Sequence, residues 1–214
     1  MKIVCKTRIV EPERKGLRLG VEVTADENAC GLLICDCAEG CGTVTVDWGD
    51  GCVETSPGLR SVVHAYDAPG RYEVRLTDEV GVMQLCAPMP GSKFNTVYPM
   101  RFRTIEIAAD RLVTLKPYAF VRSVNLETVR IRTAAPLTLP NYCFKDCVSL
   151  RRVELPSVAD LASTSSISAA PFTGCTAEME IHFAKANERA IRATQLFTDY
   201  PTLGAEKGSV SFDL

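Results

Sequence analysis

The chain has little of what enzymes and nucleic-acid binders are usually built from. It holds two histidines in 214 residues, His64 and His182. They fall in what read as separate domains, which is poor material for a zinc site or a catalytic triad. Cys86 has no nearby histidine to act as its base, so a cysteine nucleophile is not expected. Lysine and arginine total 24 against 26 acidic residues, a formal charge of -2. With no basic run, that balance argues against nucleic acid as a partner. No stretch of 18 apolar residues occurs, so no transmembrane helix and no membrane insertion are expected. The first residues carry Lys2, Lys6 and Arg8 where a signal peptide would need its apolar stretch. What remains is ordinary: 46% apolar, 23% charged, and a length that fits one large or two modest domains.

The positive signal is a repeat between residues 102 and 183. Four segments, 102–107, 126–131, 150–155 and 178–183, each place a branched apolar residue, one polar residue and a large apolar residue in the same order. The first three step by 24 residues and the last by 28. Phe120, Phe144 and Phe172 each lie six residues before a segment, followed three residues later by Ser123, Cys147 or Cys175. One strand per unit of 20 to 29 residues is the pattern of a leucine-rich repeat solenoid. Single units cannot bury their own apolar face, so they stack. Ile105, Val129, Val153 and Ile181 are expected to form one buried ladder, and Ile107, Ile131, Leu155 and Phe183 the next. The three phenylalanines are expected to stack on the far side. The run Phe144-Lys-Asp-Cys147-Val-Ser-Leu150-Arg-Arg-Val153-Glu-Leu155-Pro156 resembles the BspA-like leucine-rich repeat. That resemblance covers about residues 100 to 183 and implies a right-handed solenoid serving as a surface binding scaffold, without catalysis.

Residues 1–87 read as a first domain. Alternating or apolar runs at 17–23, 32–37, 43–48, 52–54, 62–66, 71–76 and 80–86 read as short strands. Asp50-Gly51 is read as the positive-φ pair of a tight hairpin turn. About seven short strands with turns between them indicate a β-sandwich. Val46-Asp47-Trp48-Gly49-Asp50-Gly51, then His64-Ala65-Tyr66, then Pro69-Gly70-Arg71-Tyr72-Glu73-Val74, resemble the polycystic kidney disease (PKD) domain. The likeness spans about residues 16 to 86 and implies an immunoglobulin-like spacer or binding module. The segment 87–92, with two prolines and a glycine, reads as the boundary. Residues 88–214 then form the second domain, with 93–100 capping one end of the solenoid. At the other end a helix over 184–197 and a strand over 208–214 form the cap. The serine-rich stretch 157–170 reads as a loop. The expected fold is therefore mainly β: an N-terminal β-sandwich, a short leucine-rich repeat solenoid, and a C-terminal helix–strand cap.

Ten cysteines occur, at positions 5, 30, 35, 37, 41, 52, 86, 143, 147 and 175. Reduced thiols acting as small buried groups are the expectation, with disulfides reserved for an oxidising compartment. Cys30, Cys35, Cys37 and Cys41 are the one group where zinc is arguable. Their C-x4-C-x-C-x3-C spacing crowds four thiols into twelve residues and suits a tetrahedron poorly. Asp47, Asp50 and His64 could be drawn as an acid–base or metal site, but the structural reading is preferred. The expectation there is a side-chain-stabilised turn at Asp50, a His64 packed beside Trp48 or Tyr66, and Trp48 as core. No metal and no cofactor are expected.

The outward residues of the four rungs fall into two columns: Thr104, Thr128, Arg152, Glu180, and Glu106, Arg130, Glu154, His182. The candidate binding residues are Thr128, Arg130, Arg152, Glu154 and His182. Alternating charge in the second column reads first as a self-satisfied ladder, with a recognition face as the functional alternative. Only Arg152 stands somewhat apart. The two resemblances together imply a non-catalytic binding or structural module of a bacterial or phage surface or particle, with protein or glycan partners. The alternative is an accessory fragment of a secreted hydrolase. The location is left open between the cell surface and the cytoplasm until assembly into a phage particle.

Overall fold

The computed structural model describes residues 16–23, 29–33, 43–57, 61–78, 83–85, 102–109, 113–115, 117–133, 136–161 and 167–214. It is mainly β. The strands in chain order are β1 (Gly16–Val23), β2 (Ala29–Leu33), β3 (Thr43–Asp47), β4 (Val53–Pro57), β5 (Ser61–Ala65), β6 (Gly70–Asp78) and β7 (Met83–Leu85). There follow β8 (Phe102–Ala109), β9 (Val113–Leu115), β10 (Thr128–Thr133), β11 (Leu137–Leu139), β12 (Arg152–Leu155), β13 (Val158–Leu161) and β14 (Glu178–Phe183). Two short helices, α1 (Glu188–Arg192) and α2 (Gln195–Asp199), precede β15 (Lys207–Phe212).

One large mixed sheet dominates, in the order β15-β14-β12-β10-β8-β1-β6-β3-β4. Its C-terminal five strands are parallel, and the 24-residue spacing sets their register. Ile105 pairs with Val129, Val129 with Val153, Val153 with Ile181, and Ile181 with Val210. Strand side chains alternate between faces, so this row and the row of Ile107, Ile131, Leu155 and Phe183 point inward together. All eight side chains are buried. Each such burial is worth roughly 1.5–3 kcal/mol before entropy is counted.

The opposite wall of each repeat is a turn that stacks on the next turn. Phe120 N–H donates to Cys143 O (2.8 Å), Phe144 N–H to Pro171 O (2.9 Å) and Phe172 N–H to Leu203 O (3.1 Å). The three phenylalanine rings stack at 5.2 and 5.3 Å between centroids, as their spacing predicts. The turns are tight enough to force left-handed backbone at matching positions. Tyr118 and Tyr142 share it, as do Arg122 and Asp146, and Gly174 takes the latter position in the last copy. A further short strand after each of the first three repeat strands was not read from the sequence. Val113–Leu115 pairs with Met83–Leu85, and Leu137–Leu139 with Val158–Leu161, all parallel.

Two pairings tie the N-terminal strands to the repeats. β1 lies antiparallel between β6 and β8, with Leu17 opposite Ile107 and Leu19 opposite Ile105. β7, expected as the last strand of the N-terminal domain, pairs with β9 instead. Arg103 on β8 strengthens the first junction by bonding Glu22 of β1 on one side and Glu127 on the other. The expected boundary, 87–92, and the cap at 93–100 lie outside the described residues, as do 34–37 of the second expected strand.

Several expectations need correction. The repeat strands β10 and β12 begin at 128 and 152, because Leu126 and Leu150 donate back into the preceding turn, to Ser123 O and Cys147 O. The hairpin at Asp50 is a three-residue loop closed by Trp48 N–H to Cys52 O (3.0 Å). Its positive φ values fall on Gly49 (82°) and Gly51 (96°), on either side of Asp50. At Gly49 a Cβ would sit 2.6 Å from Glu73 O, so no side chain fits. The stretch 157–170 is not all loop: Val158–Leu161 is strand, Ile167–Ala169 is a 3₁₀ turn, and 162–166 lie outside the described residues. The single helix expected over 184–197 is broken by Thr194, whose side chain accepts from Phe197 N–H and starts α2. β15 pairs in parallel with β14, as a closing strand should.

Candidate functional site

Register carries the two outward columns much further than four rungs. Opposite one another in succession stand Arg75, Arg18, Glu106, Arg130, Glu154, His182 and Ser211. The neighbouring row runs Glu73, Gly20, Thr104, Thr128, Arg152, Glu180 and Ser209. Adjacent strands lie about 4.8 Å apart, so a side chain of ordinary length reaches its neighbour in the next strand. The candidate residues Thr128, Arg130, Arg152, Glu154 and His182 therefore share one continuous polar strip.

Glu154 is the pivot. Its side chain is only 8% exposed, although it belongs to the outward column. Arg130 donates to Oε2, and Arg152 donates from Nε to Oε1 at 3.0 Å. Arg152 also reaches Glu180 Oε2 at 3.3 Å, so the one cation that stood apart in the sequence is shared between two carboxylates. Burial pushes the Glu154 carboxyl up, but the bonds from Arg152 and Arg130 outweigh it and hold the group below the usual range. Thr128 contributes no charge and separates this cluster from Thr104.

His182 takes partners that the sequence reading did not include. Its Nδ1 lies 2.9 Å from Asp213 Oδ1 and 2.9 Å from Ser211 Oγ, and Ser211 also donates to Asp213 (2.9 Å). The hydrogen bond from His182 is the main reason the Asp213 carboxyl sits low. A Ser, a His and an Asp in contact suggest a triad, but the geometry differs. Serine and aspartate meet the same ring nitrogen, while Nε2 is buried without a hydrogen bond, 3.5 Å from Glu180 Oε2. A relay needs the hydroxyl on one nitrogen and the carboxylate on the other. Asp213 follows the last strand, and only the parallel placement of β15 brings it to His182.

The N-terminal motifs converge in a second place. Asp50 Oδ1 accepts from Cys52 N–H (2.9 Å), and Asp50 Oδ2 lies 2.6 Å from His64 Nε2. His64 stacks on Trp48 at 4.9 Å and meets the edge of Tyr66 at 4.7 Å. Tyr66 donates its hydroxyl to Trp48 O (3.1 Å) and stacks on Tyr72. The expected turn at Asp50, packing of His64 and burial of Trp48 are all present; the carboxylate–imidazole bond is additional. Asp47 accepts from Gly49 N–H (2.9 Å) and does not join His64.

Cys143, Cys147 and Cys175 are buried free thiols at repeat positions. Cys147 and Cys175 have a role the repeat pattern did not announce: each Sγ–H donates to the carbonyl of the preceding repeat's phenylalanine, Phe120 O (3.1 Å) or Phe144 O (3.2 Å). Burial pushes the Cys175 thiol up to about 12. Cys5, Cys35, Cys37, Cys41 and Cys86 lie outside the described residues, and of Cys30 only the backbone is described. Among the described residues no helix is long and apolar enough to cross a membrane. No family model matches the chain, and neither the curated proteins nor the solved structures provide a match.

Proposed function

We propose that this chain is a non-catalytic binding or structural module. In this reading residues 1–87 are a PKD-like β-sandwich and residues 88–214 a short BspA-like solenoid with a helix–strand cap. It works on a bacterial or phage surface or particle, through contacts to protein or glycan. The supporting observation is the polar strip itself. Its guanidinium groups at Arg130 and Arg152 are already bonded to Glu154 and Glu180, so the strip reads as a rigid, self-satisfied scaffold. Ion pairs of this kind across strands contribute roughly 0.2–1 kcal/mol each and fix register. The His182 group lacks the two-sided geometry of a relay, which also favours binding over turnover.

A glycan and protein-ligand panel, run on the immobilised chain with product analysis of each retained ligand, tests this. Retention without product is expected, and Arg130→Ala and Arg152→Ala, made one at a time, should each leave retention unaltered. Steady release of cleaved product from a retained glycan or peptide would overturn the non-catalytic reading in favour of a hydrolase fragment.

A further inference from the structure

We propose that Cys52, Glu54 and His64 form a binding site for a zinc-class divalent cation, with Asp50 orienting the imidazole. The three donor side chains lie within 4.8 Å of one another and are each half-buried. Neither Cys52 nor Glu54 belongs to the groups weighed from the sequence, which were Asp47, Asp50 and His64 and the four cysteines between Cys30 and Cys41, and no metal was expected. Cys52 and Glu54 enter through strand pairing.

Edge strand β4 carries an inverted pattern. Val53 faces solvent at 58% exposure, while its neighbours Cys52 and Glu54 are half-buried. Glu54 lies directly opposite Val46, which is 1% exposed, so its carboxylate is on the core side of the sheet. Among the described residues it has no hydrogen-bond or ion-pair partner. A half-buried carboxylate on that side would gain from a cation beside it. The one other established reason for an inward charge on an edge strand is to discourage pairing with another chain.

The imidazole is prepared for ligation. A carboxylate only accepts, so Asp50 Oδ2 at 2.6 Å fixes the proton on His64 Nε2 and leaves the lone pair on Nδ1. This is the usual arrangement in which an outer carboxylate sets the tautomer of a metal-binding histidine. The same Asp50 holds Cys52 through its backbone N–H, so one side chain positions two of the three ligands. Trp48 stacks on the ring and fixes its plane. Thiolate, imidazole and carboxylate together suit zinc better than calcium or magnesium. Three protein donors leave a fourth tetrahedral position for water. Binding releases the Cys52 thiol proton to solvent as the Sγ–metal bond forms.

The test uses the full chain, stripped with a chelator and titrated with cobalt(II), then with zinc against a chromophoric chelator. One cobalt equivalent with the thiolate-to-metal absorption of a single Co–S bond is expected. Cys52→Ser should abolish that equivalent, Glu54→Gln should weaken zinc binding, and Asp50→Asn should weaken it about 10–100-fold. Absence of any single-thiolate band overturns the proposal. So does full retention of metal affinity in both Cys52→Ser and Glu54→Gln, which would leave Glu54 as a guard of the edge strand. A band of several thiolates that persists in Cys52→Ser would place the metal on other cysteines, and also overturns it. Should a variant fail to fold, the wild-type band intensity still decides.

Discussion

Removing Arg130 and Arg152 together should cost far more than the sum of removing each. The side chains of the two arginines are 39% and 48% exposed, so either pair alone is half solvated. Each single change to alanine should therefore cost only about 1 kcal/mol. The double change leaves the Glu154 carboxylate, 8% exposed, without a cation. Stranding a buried charge costs about 3–5 kcal/mol, so a coupling of about 1–3 kcal/mol is expected. Urea unfolding of the four proteins at pH 7 measures it. The pH dependence gives a second, signed readout. In the parent, burial raises the Glu154 carboxyl, but Arg152 and Arg130 lower it further, so its folded value lies below the unfolded one. That contribution is fully present above the unfolded value and is lost as pH falls through the folded one. In the double variant only burial remains. The carboxyl then rises above its unfolded value, and its contribution is present at low pH and lost as pH increases. The gap between parent and double variant should thus narrow as the pH is lowered from 7 toward 3. Additivity within about 0.5 kcal/mol, with a gap independent of pH, would refute the role given to Glu154.

Phe144→Ala removes the middle ring of the three-phenylalanine stack, fully buried between neighbours at 5.2 and 5.3 Å, and should lower stability by about 3–5 kcal/mol in chemical denaturation. Arg122→Gly should do the opposite. Arg122 holds φ 58° where Gly174 serves in the last repeat; relief of about 1–2 kcal/mol of left-handed strain against about 0.5–1 kcal/mol of lost rigidity leaves a gain of up to about 1.5 kcal/mol, read as a higher urea midpoint. Cys175, with its thiol pushed up to about 12 and 0% exposure, should resist a soluble maleimide at pH 8 until the chain unfolds, as peptide mapping would show.

The repeat was legible because stacking needs the same residue type at a fixed interval. Ile105, Val129, Val153 and Ile181 announced their register through a 24- and 28-residue step. Phe120, Phe144 and Phe172 did the same for the turns. The three-residue strands β9 and β11 were not legible, since Val113–Leu115 and Leu137–Leu139 are too short for alternation to stand out. Nor was the β1–β8 junction: antiparallel pairing between a repeat and a non-repeat strand leaves no local mark in either. In the candidate strip the columns were visible, because alternation places them. Asp213 was not, because it meets His182 only through the closing strand. Glu54 looked like any strand residue until pairing with β3 put it opposite Val46. Thr194 could have been read as a helix start, since a threonine there caps the Phe197 N–H, but the apolar run continued across it.

One uninterrupted sheet, in which β1 joins the N-terminal strands to the repeats, carries the shared polar strip. Backbone proton contacts in solution test that directly. Short Hα–Hα contacts between β1 and β8, the mark of antiparallel neighbours, are predicted around the register of Leu19 with Ile105, alongside the staggered amide–Hα contacts of parallel pairing between β8 and β10. Contacts from β8 to β10 with none from β8 to β1 would contradict it, and would make the two halves separate bodies with no shared polar strip.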